Sequence, residues 1–250
     1  MANDHVGIPR FIEEGFANKK KVYKYDLIRE KEYAESIDTL GTENNYYDED
    51  VEKELLARRI ENRFGLFYNN FCNATNLYEM RSMLNSNIKL VEKFFSFMFL
   101  RAKKILEIIN KESITSKIFG NLDHSELLRI QTMINVNPLE IIGKEYYFFP
   151  LINRSDLLFI NNSIGFGIII DREGQKSIVI PLNNRIAIFI SNDSKLNDYN
   201  YLYIEPERKE KADTINKSIC TMEKEYGNGF IFGYSKELII RYKDFINKVH

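Results

Sequence analysis

Tryptophan is absent from this chain of 250 residues, and cysteine occurs only at Cys72 and Cys220. The two cysteines are far apart in sequence and belong to no motif, so a disulfide framework is not expected and a reducing cytoplasm is the simplest compartment. Histidine is also scarce, with only His5, His124 and His250, and no CxxC or HExxH sequence occurs. A structural zinc site is therefore not expected.

Long apolar runs and a net charge are lacking as well. The longest apolar runs, such as Phe94–Leu100 and Gly165–Ile170, fall short of the roughly 18 residues that span a bilayer. The amino terminus has no basic region followed by an apolar run, so no signal peptide is expected. We therefore expect a soluble, cytoplasmic protein that does not associate with a membrane. The formal net charge of -1 gives no overall attraction to nucleic acid, although local basic patches are permitted.

Sequence motifs of common enzyme chemistries are also missing. No P-loop, GxGxxG or GxSxG sequence occurs, so the phosphate-binding loops and the serine nucleophile that these motifs indicate are not expected. No metal site is predicted, an all-carboxylate site is merely permitted, and no cofactor or oligomeric state is indicated. Hydrophobic residues nevertheless make up 44% of the chain, which is typical of a globular protein with a substantial core.

The first half of the chain is predicted to be mainly helical. Apolar residues spaced by three and four positions predict a helix from about Asp48 to Phe71. The most apolar helix is predicted at Asn87–Asn110, and we expect the rest of the chain to pack around it. The other elements predicted here are a short helix at 8–16, strands at 21–27 and 36–40, a helix at 76–84, and two short helices within 114–133.

From Tyr146 onward, short β-rich runs separated by turn signals predict a sheet. The predicted elements are strands at 146–152, 157–161, 166–171, 177–180, 185–191 and 199–204, a helix at 207–226, a strand at 229–232 and a helix at 235–249. Together they predict an α+β fold, in which a helical amino-terminal half packs on a mostly antiparallel sheet with carboxy-terminal helices. We expect one domain over 1–250, with a division into 1–135 and 136–250 left open.

Arg101 is the most unusual residue of the predicted central helix. On a helix it shares one face with Met98 and Ile105, and a guanidinium on an apolar face needs a carboxylate, backbone carbonyls or a bound anion. One interpretation is a structural ion pair, or an arginine whose stem lies along apolar surface. The other is a catalytic cation that stabilises negative charge developing on a phosphate.

Glu61 borders the apolar face of the preceding helix, three and four positions before Phe64 and Gly65. A carboxyl group in such a place can have a raised pKa, which suits general acid or base catalysis. Two structural alternatives are an ion pair with Arg101 and a local helical pair with Arg58.

Two further candidates lie near the amino terminus, and a basic strip lies on the central helix. His5, close to a predicted short helix and to Arg10, is interpreted either as a solvated residue or as an acid, base or phosphate-contacting cation. Arg10 is the corresponding substrate-binding candidate. The basic strip consists of Lys89, Lys93, Arg101, Lys103, Lys104 and Lys111. It indicates either a phosphate-binding surface or lysine stems that cover an apolar helix, and the interleaved Glu92 and Glu107 favour the second interpretation.

Several short segments occur in the order that is typical of one bacterial family. The segments are HVGIPRFIEEGF at 5–16, VYKYD at 22–26, the pair IE at 60–61, the helix that carries position 101, and IPL at 180–182. In these segments the chain resembles the family named domain of unknown function 4238. The resemblance spans nearly the whole chain, and His5, Pro9, Glu61 and Arg101 fall on positions that the family pattern marks. It implies a bacterial or phage-related intracellular protein and supplies no established reaction.

One segment departs from the family pattern. Where the family has Ser-Asp followed shortly by Pro, this chain has NNSIG at 161–165. If the missing Asp is needed for chemistry, the resemblance implies an inactive or divergent member. Asn162 is the candidate substrate-binding residue of this turn.

Two function hypotheses follow. In the first, the protein is an effector that cleaves a phosphodiester in nucleic acid or a nucleotide, with His5 as acid or base, Glu61 as base or metal ligand, and Arg101 as the stabiliser of phosphate charge. In the second, it is a non-catalytic regulatory protein that recognises a protein partner in phage–host conflict, which predicts an exposed apolar or aromatic patch. Polar candidates at apolar borders favour the first slightly, and enzyme activity stays an open question.

Overall fold

The computed structural model describes residues 3–5, 8–44, 47–112, 121–134, 145–199 and 201–248, together with Leu139 and Gly143. In this part of the chain the fold is α+β, as predicted. Eight α-helices and two mostly antiparallel sheets surround one cluster of buried apolar side chains. None of the described helices has the length and apolar character needed to cross a bilayer.

The described strands form two larger sheets and a two-stranded ribbon. In chain order they are β1 Asn3–His5, β2 Lys21–Asp26, β3 Lys31–Ser36, β4 Thr42–Asn44, β5 Tyr147–Asn153, β6 Asn161–Asn162, β7 Gly167–Ile170, β8 Lys176–Pro181, β9 Ile186–Ser191, β10 Leu202–Ile204 and β11 Phe230–Gly233. The first sheet has the order β3-β2-β11-β6 and is antiparallel. The second has the order β10-β5-β9-β8-β7, in which only β10 and β5 are parallel. The ribbon pairs β1 with β4.

Most predicted strands overlap an observed strand, but two were placed wrongly. Residues 37–40 form turns between β3 and β4, and of 157–161 only Asn161 lies in a strand. The second error has a local cause, because the Asn153 side chain donates a hydrogen bond to Leu157 O at 2.8 Å and folds this segment back as a turn. The pairing of β2 with β11 joins segments from both sides of position 135, where a division of the chain was left open.

The helices follow the predicted order. They are α1 Arg10–Glu14, α2 Asn62–Cys72, α3 Leu77–Ser86, α4 Ile88–Leu100, α5 Lys103–Glu112, α6 His124–Ile134, α7 Lys209–Tyr226 and α8 Lys236–Lys248. The region predicted as one helix from Asp48 to Phe71 begins with a π-helical segment at Val51–Glu61 and continues into α2. Of the two short helices expected within 114–133, the second corresponds to α6, whereas residues 113–120 lie outside the described part.

The central helix is not continuous, contrary to the prediction of a single helix over Asn87–Asn110. It ends at Leu100 and resumes at Lys103. Asn228, far away in the sequence, accepts a hydrogen bond from Lys103 N at 2.9 Å. The side-chain Oδ1 of Asn228 thus provides an acceptor for one of the backbone N–H groups that lack an intrahelical partner at the start of a helix. The break places Arg101 at the end of α4.

The first part of that helix is nevertheless deeply buried in the core. The Phe94 ring of α4 stacks on Phe64 of α2, with ring centroids 3.6 Å apart. The next residue, Phe95, packs edge-on against Phe166, with ring centroids 4.9 Å apart. Helix α4 therefore joins the helical layer to the turn that precedes β7, through aromatic pairs that add to apolar burial.

Candidate functional site

Arg101 and Glu61 form an ion pair with each other. The Arg101 Nη2 and Glu61 Oε1 atoms are 2.6 Å apart, and the two side chains are 3% and 20% exposed. The guanidinium also lies 5.5 Å from the ring centroid of Tyr47. A cation so completely buried is held by structural partners and is shielded from a large substrate. These contacts support the structural alternative for both residues, and their catalytic roles stay predictions.

His5 and Arg10 lie in elements other than those that carry the Arg101–Glu61 pair. His5 lies in β1, where its backbone pairs opposite Thr42 of β4, and its side chain is outside the described part. Arg10 opens α1 and is largely exposed, with Nη2 2.6 Å from Asp38 Oδ1 and Nε 3.3 Å from Glu14 Oε1. A meeting of His5 with Glu61 and Arg101 at one substrate therefore stays a prediction.

Asn162 is the last residue of β6 and is wholly buried, next to the turn that follows this strand. Its Nδ2 donates to Phe166 O at 3.0 Å and to Ile219 O at 2.8 Å, and its Oδ1 accepts from Gly165 N at 2.7 Å. Gly165 has a φ of +82°, a backbone conformation that favours glycine. The amide group is thus fully used in shaping the turn and fixing it to α7, and this placement gives no support to substrate binding by Asn162.

A buried carboxylate, which sequence reasoning missed, lies beside this turn. Glu223 of α7 is 1% exposed. Its Oε1 accepts hydrogen bonds from Gly229 N at 2.6 Å and Phe230 N at 2.8 Å. Its Oε2 accepts from Ser163 N at 2.9 Å and Ser163 Oγ at 2.7 Å. Burial raises the pKa of Glu223 to about 7, while these donors act in the opposite direction.

Glu223 ties three segments together and has no room for a ligand. It connects α7 to the turn after β6 and to the start of β11, and a Cβ atom on Gly227 would lie 2.1 Å from the Glu223 Cδ atom. A signal in the sequence could have found this residue. It continues the buried stripe of Ile215, Ile219 and Cys220 at helical spacing, as Arg101 does on α4.

The basic strip of the central helix does not form one continuous surface. Arg101 is buried, the Lys104 ammonium donates to the backbone oxygen of Lys224 in α7, and Lys111 Nζ lies 4.0 Å from Glu107 Oε2. These three positive charges serve different contacts, and Lys89 and Lys93 are exposed on the preceding helix. The interpretation that Lys stems cover an apolar helix therefore has the better support.

An open groove of about 810 Å³ lies where α3 packs on β5, beside β10. We name it the tyrosine groove, after three of its lining side chains, Tyr78, Tyr201 and Tyr203. Arg154 and Arg185 also line it. The ring centroids of Tyr78 and Tyr201 are 6.3 Å apart, and those of Tyr201 and Tyr203 are 4.8 Å apart. Tyr78 is 67% exposed. Tyr201 and Tyr203 are partly buried.

Local structure fixes the direction of each tyrosine on its own segment. Tyr78 is the second residue of α3, whose start is fixed because the Asn76 side chain accepts a hydrogen bond from Glu79 N at 2.8 Å. Tyr201 and Tyr203 are two residues apart along an extended segment, so their side chains point to the same side. The end of β5 is held beside this segment by a hydrogen bond of 2.9 Å from Arg154 N to Ile204 O.

The two arginines give the groove a positive charge. The Arg154 guanidinium lies 4.1 Å from the centroid of the Tyr203 ring, and its Nη2 donates to the Tyr203 hydroxyl at 3.1 Å. Arg185 Nη1 donates to the backbone oxygens of Asn153 and Ser155. Among the described residues that line the groove there is no Asp, Glu or Lys. The chain has almost no net charge, yet the described residues that line this groove include two cations and no anion.

A second cavity, of about 250 Å³, is polar and has its charges paired. Lys24 Nζ lies 3.0 Å from Glu35 Oε2 and 4.3 Å from the centroid of the Phe230 ring. Thr42, which pairs with His5, also lines it. The part of the chain that the structure describes has no group of three or more His, Cys, Asp or Glu side chains that could hold a metal ion. The balanced charges make this cavity the weaker candidate of the two.

Comparisons with protein-family models, with curated proteins and with solved structures give no match to this chain. The resemblance to the family named above therefore stays a prediction. The tyrosine groove was not predicted as a site. Its one signal is the spacing of Tyr199, Tyr201 and Tyr203 in a predicted strand, and the residues that complete the groove lie far away in the sequence.

Proposed function

We propose that the protein is directed at nucleic acid or nucleotides and binds them in the tyrosine groove. The observation that carries this proposal is the set of three clustered tyrosines flanked by Arg154 and Arg185, with no acidic residue among the described lining. Aromatic rings offer stacking surfaces to bases, and arginine contacts phosphate through charge-assisted hydrogen bonds.

The electrostatics support binding at this place in preference to others. The overall charge of -1 gives no long-range attraction, so binding depends on a local surface. In the basic strip, Lys104 donates to a backbone oxygen and Lys111 lies near Glu107, whereas the two groove arginines have no carboxylate partner within the described residues. Phosphate groups would supply the missing negative charge.

Titration of a labelled single strand tests the proposal by fluorescence anisotropy. We expect Tyr78→Ala and Tyr201→Ala each to weaken binding about 5- to 150-fold, because a stacked base contributes about 1–3 kcal/mol. Tyr78→Phe keeps the ring and should bind as the wild type does.

Tyr199→Ala is the matched control. Tyr199 is 59% exposed and close in sequence to Tyr201, but it does not line the groove. Equal binding by the wild type and both groove alanine variants would contradict the proposal. The same labelled strand also tests for cleavage. The first hypothesis from the sequence predicts a shortened product, with His5 as acid or base.

The second candidate function is recognition of a protein partner, and the exposure of Tyr78 favours it. Tyrosine and arginine are enriched among the residues that contribute most to protein interfaces, and the hypothesis from sequence predicted an exposed aromatic patch. Under this alternative, no strand of any kind changes its anisotropy in the titration.

A further inference from the structure

We infer that the groove takes a short single strand, of about two or three nucleotides, and holds it by its bases more than by its phosphates. This inference rests on the proposed function and names its substrate class. Three observations support it: the ring geometry, the small number of cations and the size of the groove.

The ring geometry selects unstacked bases. Tyr78 and Tyr201 meet edge to face, with an interplanar angle of 87°, and Tyr201 and Tyr203 are inclined at 63°. Rings set at such angles present faces in several directions. A duplex keeps its base faces stacked on each other, so rings of this kind can engage only bases that a single strand leaves free.

The cations limit the number of phosphate contacts to about two. Arg154 and Arg185 are the only charged side chains among the described residues of the groove. Each is already oriented, Arg154 by the Tyr203 ring and Arg185 by backbone oxygens. An oriented guanidinium offers its remaining N–H groups to a phosphate with little further loss of side-chain freedom.

The size of the groove limits the strand. A volume of about 810 Å³ lies within the range of sites for drug-sized ligands, which fits about two or three nucleotides. Longer strands should therefore gain little affinity from additional length.

Salt dependence separates base stacking from phosphate binding. For single strands, each phosphate contact contributes about -0.7 to the slope of log K against log salt concentration. Two contacts predict a slope of about -1.4 between about 50 and 400 mM salt, and Arg154→Ala should bring it to about -0.7. A surface that followed the phosphate backbone would give a much steeper slope.

The experiment compares four labelled ligands of one sequence: a DNA single strand, an RNA single strand, the DNA duplex, and a single strand whose central nucleotides lack bases. We expect either or both single strands to bind at least about 10-fold more tightly than the duplex and the abasic strand. Preference for the duplex, equal binding of the abasic strand, or a slope steeper than about -4 would overturn the inference while leaving the proposed function standing. If no ligand binds, the proposed function itself fails.

The Tyr78→Phe and Tyr78→Ala variants should change ligand binding without unfolding the protein. Tyr78 is mostly exposed, so its truncation removes little buried surface. We expect Tyr78→Ala to lower affinity for the single strand and to leave the weak duplex binding unchanged. A parallel loss for both ligands would count against stacking on this ring.

Discussion

The Glu61→Ala variant should unfold with a free energy about 3–5 kcal/mol below that of the wild type. Its carboxylate lies 2.6 Å from Arg101 Nη2, and the arginine side chain is only 3% exposed. Removing the carboxylate takes this ion pair from an almost fully buried guanidinium, and loss of one member of a buried pair is strongly destabilising. Urea denaturation followed by circular dichroism measures the difference.

An exposed pair and a double variant give the controls. Glu107 lies 4.0 Å from Lys111 with both side chains exposed, so Glu107→Ala should cost less than about 0.5 kcal/mol. Adding Arg101→Met to Glu61→Ala should restore much of the stability, because apolar side chains of similar volume can replace a buried pair at little cost. If Glu61→Ala is as harmless as Glu107→Ala, the structural interpretation of the pair is wrong.

The Glu223→Gln variant should lose about 2 kcal/mol of unfolding free energy at pH 5. The carboxyl group accepts backbone N–H groups through both oxygens, from Ser163 on one and from Gly229 and Phe230 on the other. At pH 5 the wild-type carboxyl group is protonated, but its hydroxyl oxygen can still accept a hydrogen bond. A glutamine presents to one of these donors an NH₂ group that cannot accept, and that buried donor then lacks an acceptor. Glu225→Gln, at an exposed position of the same helix, should have almost no effect.

The difference between wild type and Glu223→Gln should shrink as the pH rises. Burial raises the pKa of Glu223 from its ordinary value of 4.5 to about 7, so the folded state holds the proton more tightly than the unfolded state. The stability that this proton affinity supplies is complete below pH 4.5 and is lost as the pH rises through 7. The variant has no such group. A difference that stays constant from acid to neutral pH would contradict the raised pKa.

The sequence predicted the fold class and most elements because those depend on local patterns. Helical spacing identified α2, α4 and α7, and alternation with turn signals identified β5, β8 and β9. The break after Leu100 could not be predicted in this way. It depends on Asn228, which reaches Lys103 only after the chain has folded.

Prediction of the candidate site is limited in the same way, because contacts between distant segments are not encoded in local patterns. The Arg101–Glu61 pair was among the predicted alternatives, because a charge on an apolar stripe needs a partner within the fold. Glu223 satisfied the same criterion and could have been predicted. The tyrosine groove could not, because it forms where Tyr78 of α3 meets Tyr201 and Tyr203 beside β10, and no local pattern encodes that meeting.

Photo-cross-linking tests the central claim most directly. A single strand that carries a photoreactive base is irradiated with the wild-type protein, and the modified peptides are identified by mass spectrometry. The account predicts cross-links on the peptides that contain Tyr78 and on those that contain Tyr201 and Tyr203, and their loss in competition with unlabelled single strand. Cross-links confined to the lysines of the basic strip, or none at any strand concentration, would contradict it.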